Sequence, residues 1–326
     1  MTDFIPGPLQ TCAAAPTDND EDRFGQDAAR LELLRELKNG GYRFISVTPA
    51  THARVLSRAK AGRPTHRNIL GWNRPFAADE VDSGLLDLLE RAGVLARCDE
   101  RLKSEVRVSS LGEDLFLHSG FPTKAEDAVF FGPDTYRFAR FIEDELGTLK
   151  PGARIVDMGA GSGAGGILCG RLSPGACVSL VDVNPVALDF ARLNAAAADV
   201  AVQLLKQDEV PHGADLIVAN PPYMIDAAGR TYRDGGDLLG GAVALQWVQQ
   251  ALARLAPEGR MLLYTGVAIV DGRSPAIDAI AAECARHGAQ FAWREIDCDV
   301  FGEELCSPAY ADVERIAAVG CTLSVA

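Results

Sequence analysis

Long apolar runs, paired cysteines and clustered histidines are all missing from this sequence, and each absence removes a class of protein. The longest nearly apolar run, Met261 to Val270, falls far short of the roughly 18 residues that a membrane span requires, so no transmembrane helix is expected. The first 26 residues carry Asp3, Asp18, Asp20, Glu21 and Asp22 and lack a basic segment followed by an apolar one. No secretory signal is read there, and the cytoplasm is the default compartment. None of the eight cysteines forms a C-x-x-C pair, and several fall in segments that read as buried strand or helix, which marks them as reduced structural thiols. Five isolated histidines, without H-x-x-x-H spacing or a cysteine partner, leave nothing that resembles a zinc site. No metal is expected.

What is present suits a folded, water-exposed chain. At 326 residues it exceeds the size at which one core usually suffices, so two domains are the default. With 48% hydrophobic and 24% charged residues it can bury real cores, and its 32 glycines and 17 prolines are scattered rather than periodic, which excludes a collagenous or wholly disordered chain. A net charge of −13 disfavours coating nucleic acid through bulk electrostatics. Acid is nevertheless absent between Glu36 and Asp79, where Lys38, Arg43, Arg54, Arg58, Lys60, Arg63, Arg67 and Arg74 all fall. This basic island is either a solvated face paired with acids elsewhere in the fold or a docking surface for RNA or an acidic protein. Arg54 and Arg58, four apart on one helix, and Arg63 beyond its end are expected to recruit a macromolecular substrate.

Residues 1–24, with prolines and the acidic cluster Asp18 to Asp22, read as a mobile tail. A first helix follows from Asp27, with Leu31, Leu34 and Leu37 at helical spacing, stopped by Gly40-Gly41. Tyr42 to Val47 reads as a short strand, and Thr48-Pro49 opens a second helix to about Lys60. Asp82 and Ser83 cap a third that ends near Gly93, and Glu105 to Ser109 with Leu115 to His118 alternate like two strands around Gly112. Residues 25–125 are therefore expected to form a helical or winged-helix-like substrate-recognition domain. From 126 to 326 the character changes, with strands expected at Arg154 to Met158, Cys177 to Val183, Val200 to Leu205, Asp215 to Ala219, Arg260 to Thr265, Gln290 to Ile296 and Arg315 to Ser324. Helices between them, including Val186 to Ala197, Ala242 to Ala256 and Pro275 to His287, make this a doubly wound, Rossmann-like α/β sheet.

The first of those strands runs into Asp157-Met158-Gly159-Ala160-Gly161-Ser162-Gly163, a glycine turn where backbone must approach a ligand. Gly161, Gly163 and Gly166 also satisfy the dinucleotide pattern G-x-G-x-x-G, so the turn alone is ambiguous. Asp157 tilts it, because a carboxylate beside a pyrophosphate is repelled, whereas the sulfonium and ammonium of S-adenosylmethionine attract it. Asp182, 19 residues after Gly163 at the end of the second strand, can accept from both ribose hydroxyls. Asp208, after the third, is placed to accept from the adenine amino group.

The fourth strand runs into Asn220-Pro221-Pro222-Tyr223. A planar amino nitrogen delocalises its lone pair and is a poor nucleophile. If the Asn220 side-chain oxygen and the Pro221 carbonyl each accept one N–H, the lone pair is turned towards the methyl donor and developing positive charge is stabilised. Tyr223 would offer a flat stacking face for the acceptor, with the prolines stiffening the turn. In the glycine-rich stretch after it, Gly235 and Gly236 suggest a substrate-gating lid, and Arg230 and Arg233 are candidates to meet a phosphate or an acidic partner.

In this order and spacing, the glycine turn, Asp182, Asp208 and the NPPY motif resemble the class I S-adenosylmethionine-dependent methyltransferases, specifically the small-methyltransferase group. That group is similar to the HemK-like protein-glutamine methyltransferases and to enzymes that methylate adenine N6 or guanine N2 in nucleic acids. The resemblance implies a seven-stranded, mostly parallel sheet with an antiparallel last strand, and methionine-side cofactor contacts at Asp157 and Gly159. Phe131-Gly132-Pro133-Asp134-Thr135 resembles the segment that closes over the cofactor, which makes Phe131 and Thr135 cofactor candidates, although it departs from the arginine- and glutamate-bearing HemK-like form. Residues 1–125 do not resemble the HemK-like N-domain. The expected activity is N-methylation of a protein glutamine. The alternatives are amino-group methylation of RNA or DNA, and an inactive methyltransferase fold that serves as a binding module.

Overall fold

Leu33, Leu34 and Leu37 lie buried along one face of α1 (Asp18–Asn39), which stops where Gly41 takes a φ of +69°. The structure is a computed structural model that describes residues 18–58, 62–123, 125–226, 230 and 232–326. The helix starts nine residues before Asp27, so the tail expected over 1–24 is corrected there. Its remainder, residues 1–17, lies outside the described residues, as do Lys60 and Thr231.

α2 (Pro49–Leu56) begins as expected at Thr48, whose hydroxyl accepts from the Thr51 amide at 3.3 Å, and ends four residues before Lys60. α3 (Ser83–Arg91) is capped by Asp82, which accepts from the Gly84 amide at 2.9 Å. Between them lies one π-helical turn, Arg67–Gly71. Tyr42 to Val47 is extended but forms no strand. Its Phe44 amide donates to Ser110 Oγ instead of a carbonyl, so among the described residues the Ser110 amide to Phe44 carbonyl bond is the one backbone–backbone link to the neighbouring hairpin, and side chains such as Tyr42, whose hydroxyl donates to the Val108 carbonyl, make the rest.

Two antiparallel hairpins follow, β1 (Leu95–Cys98) with β2 (Arg101–Ser104), and β3 (Val106–Leu111) with β4 (Asp114–Ser119). The second turns at Gly112 as expected. The first was not expected, because its short strands are half exposed and carry no apolar alternation, and the turn uses Asp99 at a φ of +55°.

The remainder alternates helix and strand: α4 (Pro133–Glu145), β5 (Arg154–Met158), α5 (Ala164–Leu172), β6 (Cys177–Asp182), α6 (Pro185–Ala197), β7 (Val202–Lys206), β8 (Ala214–Ala219), α7 (Ala242–Arg254), β9 (Leu255–Ile269), α8 (Pro275–Arg286), β10 (Gln290–Asp297) and β11 (Arg315–Ser324). Strand order is β10-β11-β9-β8-β5-β6-β7, with β11 antiparallel to both neighbours and β5 to β9 parallel. Such a sheet must be covered on both faces. Phe138, Phe141 and Ile142 of α4 and Cys169 of α5 cover one, and Val248 of α7 with Ile277 and Ile280 of α8 cover the other.

The boundary expected at 125/126 does not separate two cores. Ala187, Phe190 and Leu193 of α6 pack into the same cluster as Leu33, Phe44, Leu89 and Leu117, and Asn194 both accepts from the Leu117 amide (2.7 Å) and donates to its carbonyl (3.0 Å). Among the described residues, no helix is long and apolar enough to cross a membrane. From β5 the chain adds β6 and β7 on one side and β8 and β9 on the other, and this switch in strand order opens a crevice at the carboxyl ends of β5 and β8.

Candidate active site

Register places the ends of the parallel strands level: Met158 of β5 lies opposite Val181 and Ala219, and Asp182 opposite Lys206. The glycine turn, Asp182, the 207–208 segment and Asn220 therefore reach one crevice, a cavity of about 420 Å³. Thr135, Asp157, Gly159, Gly161, Asp182 and Asp208 line it, as do Asn220 and Pro222.

Gly159 sits at a φ of +68°, and a Cβ there would stand 2.4 Å from the Trp247 ring. Only glycine fits. The turn is tied to the second strand, since the Gly159 and Ala160 amides both donate to the Val181 carbonyl (2.9 and 3.0 Å). Asp182 then organises its own surroundings: one oxygen accepts from the Gly161 amide at 2.8 Å and the other from the Asn184 amide at 2.9 Å. Burial holds the Asp182 carboxyl above the usual range, and these backbone donors oppose that rise. Asp157 is buried and accepts from the Gly166 amide at 2.7 Å. Desolvation pushes its carboxyl up to about 7, with nearby Asp182 adding to the rise.

Asn220 Oδ1 is buried and has no hydrogen-bond partner among the described residues. An unmet acceptor costs about 1–3 kcal/mol, so this oxygen is poised for a donor brought by a ligand.

Other expected site residues stand elsewhere. Phe131 is buried against Phe116, His118 and Tyr136, and its neighbour Phe130 faces the cavity instead, because the chain is extended there and alternate side chains point to opposite sides. Gly163, at a φ of +83°, precedes α5 and packs on Ile167, Leu180 and Ala191. Tyr223 is not an open stacking face. It is buried, its hydroxyl donates to Asp134 Oδ2 at 2.6 Å, its ring meets Phe301 edge-on, and it does not line the cavity. Pro221 is buried and also outside the lining.

The lid reading of Gly235 and Gly236 is corrected as well. The Gly235 amide donates to the Met224 carbonyl (2.7 Å), and a Cβ on Gly235 or Gly240 would strike backbone of Tyr223, so the glycine loop braces the acceptor turn from behind. Arg230 pairs with Asp226 at 2.6 Å, and Arg233 pairs with Asp226 and Glu304. Neither arginine is free for a phosphate. The pairing holds the Asp226 carboxyl at about 2.

Phe130, Tyr232, Asp234, Val243, Gln246 and Trp247 line the cavity without having been expected. The i, i+4 spacing of Val243 and Trp247 marked one helix face, but nothing local said which cavity it would meet.

Among the described residues, the cavity lining contains four carboxylates, Asp157, Asp182, Asp208 and Asp234, and no lysine, arginine or histidine. Such a lining repels a pyrophosphate and attracts a cation, and with the unmet Asn220 oxygen it fits S-adenosylmethionine. Among the described residues, no group of three or more His, Cys, Asp or Glu side chains is arranged to hold a metal ion.

The basic island divides in two. Lys38 pairs with Asp114 (3.1 Å) and Arg43 with Glu113 (2.7 Å), Arg67 lies over the Phe44 ring, and Arg74 donates to the Val55 and Leu56 carbonyls. Arg54, Arg58 and Arg63 are exposed and pair with no acid among the described residues.

Residues 139–268 match the family model described as methyltransferase small domain. A ribosomal protein L11 methyltransferase of Symbiobacterium thermophilum is 33% identical over 136 residues, covering 38% of this chain and 43% of that protein. A release factor glutamine methyltransferase of Streptococcus pneumoniae is 32% identical over 109 residues, covering 32% and 38%. A tRNA1(Val) (adenine(37)-N6)-methyltransferase of Aeromonas hydrophila is 31% identical over 128 residues, covering 36% and 53%. The chain thus spans about half the length, or less, of these curated relatives.

Proposed function

With residues 139–268 carrying a methyltransferase small domain, we propose that this chain methylates the side-chain amide nitrogen of a protein glutamine, using S-adenosylmethionine. The observation that carries the reading is a cavity whose lining, among the described residues, holds no lysine, arginine or histidine. Asp234 lines it, and both arginines beside the acceptor turn are held in internal ion pairs, which suits an uncharged carboxamide better than a base flanked by phosphates. Relatives named release factor glutamine methyltransferase support it.

When bound, the cofactor supplies a methyl group activated by sulfonium charge. Asp182 would hold the ribose hydroxyls, Asp208 the adenine amino group, and Asp157 with Gly159 the methionine end. Asn220 Oδ1 would accept one N–H of the incoming amide. That arrangement releases the nitrogen lone pair from conjugation and stabilises the positive charge that grows on nitrogen. Holding nitrogen in line with the methyl group supplies the rest, and the proton leaves to solvent after transfer.

Radiolabelled methyl transfer into a cell lysate, split by nuclease and protease, tests the acceptor. Protease-sensitive label is expected. Nuclease-sensitive label would favour a second reading, an amino group of a nucleic-acid base, which the parallel Phe130 and Tyr232 rings at the cavity (5° apart in plane, centroids 6.3 Å apart) would suit by stacking. Absence of label in every fraction would favour the binding-module alternative.

The Asp157 carboxyl gives a pH signature. Below about 7 it is protonated in the free protein and offers no charge to a cation; above, it is a carboxylate. Affinity for S-adenosylmethionine is therefore expected to climb by up to about tenfold per pH unit below 7 and to level off above. Titration calorimetry from pH 5.5 to 8.5 measures it, with Asp157→Asn expected to be flat. A wild-type affinity that does not change with pH would remove Asp157 from the cofactor's charge balance.

The unpaired arginines are proposed to recruit the acceptor. Replacing Arg54, Arg58 and Arg63 with Ser is expected to raise KM for a macromolecular acceptor and flatten its salt dependence, with cofactor affinity and Tm unmoved. Loss of Tm with KM unchanged would make them structural.

A further inference from the structure

Asp134 stands outside the roles assigned so far. It occupies the first turn of α4, is buried, and gathers three donors from three parts of the chain. Tyr223 donates to Oδ2 at 2.6 Å, Tyr264 of β9 to Oδ1 at 2.7 Å, and Arg137 stands 3.1 Å from Oδ1 while pairing with Asp297 at 2.8 Å. Thr135 and Phe138 of the same helix line the cavity. The first turn of α4 is thus both a wall of the cofactor cavity and an anchor for the turn that carries Asn220.

We propose that Asp134 and Tyr223 are positioning residues whose hydrogen bond latches the 220–223 turn to α4 and so sets where Asn220 Oδ1 sits in the cavity. Three observations carry it. Tyr223 is turned away from the cavity, so its hydroxyl serves the protein rather than the acceptor. The backbone around Tyr223 is boxed by Gly235 and Gly240, where added Cβ atoms would come within 2.7 Å of it, and its ring lies on Gly266, where one would come within 2.2 Å. Asn220, three residues before it across two prolines, has no hydrogen bond at Oδ1 among the described residues to fix it. Its position is inherited through a stiff Pro-Pro link from the one side chain that is tied down. A charge-assisted bond to a buried carboxylate suits that task, being shorter and stronger than a neutral one.

Tyr264 supplies the control, since Tyr264→Phe removes a hydroxyl from the same carboxylate without touching the acceptor turn. In the full chain saturated with S-adenosylhomocysteine, Tyr223→Phe is expected to speed hydrogen exchange at the Met224 and Ile225 amides about tenfold or more. With labelled methyl donor, the same variant is expected to lower the transfer rate at saturating acceptor by about 10- to 100-fold, as a small misplacement of reacting groups does. Cofactor affinity should hold within about twofold, because the Asp182 and glycine-turn contacts are untouched. Tyr264→Phe should lose comparable Tm yet keep exchange and rate near wild type. If Tyr223→Phe does not fold, Asp134→Asn, of the same shape, is expected to give the same loosening and rate loss. Equal effects of the two tyrosine substitutions, or an unchanged rate with Tyr223→Phe, would overturn the latch. The proposal rests on reading 220–223 as the acceptor turn; wild-type protein that labels nothing would sink that reading, while the exchange measurement still decides the latch.

Discussion

Asn220→Ala is expected to lower turnover by about 100-fold or more while the Kd for S-adenosylmethionine stays within about twofold. The side-chain oxygen is buried on a residue that lines the cavity and has no partner among the described residues, so its hydrogen bond is made when an acceptor arrives. Removing it relieves an unmet polar group in the free protein, and Tm should hold or rise slightly. The loss falls on the transition state, where the amide must surrender its conjugation. Single-turnover labelling beside titration calorimetry separates the two quantities; equal losses in binding and rate would make Asn220 a cofactor contact instead.

Asp182→Ala is expected to weaken cofactor binding by about 100-fold or more. Two charge-assisted hydrogen bonds to ribose hydroxyls, worth roughly 1.5 to 3 kcal/mol each, would go. The substitution also frees the Gly161 and Asn184 amides, so the glycine turn loses one of its fastenings. Asp182→Asn, which keeps the shape and one acceptor, should fall between. Titration with S-adenosylmethionine, S-adenosylhomocysteine and NAD checks the assignment: tight NAD binding with no response to S-adenosylhomocysteine would overturn the cofactor reading itself.

The strands of the sheet were legible because parallel strands buried on both faces are short apolar runs, and Ile155-Val156 and Leu216-Ile217-Val218 read as nothing else. A helix start was legible where a cap and a proline coincide, as at Thr48-Pro49. The β1–β2 hairpin was not, since short, half-exposed strands leave no periodic signal. Gly235 and Gly236 were misread for a related reason: glycine in a loop signals either freedom or close approach, and only the Tyr223 backbone against Gly235 distinguishes them.

By itself, the amino-acid sequence determined the α/β architecture and the cavity's chemical character, since Asp157 and Asp182 stand at the ends of strands, Asp208 and Asn220 come within two residues after strands, and parallel strands in one sheet deliver their ends to one edge. Which groups remain available there was decided only by tertiary structure. Arg230 and Arg233 are spent on Asp226 and Glu304, Tyr223 is turned onto Asp134 some 89 positions away in the chain, and Phe130 rather than Phe131 meets the cavity. The physical reason is that a residue's type sets what it can bond to, whereas which partner it finds depends on distances set by packing between segments remote in the chain.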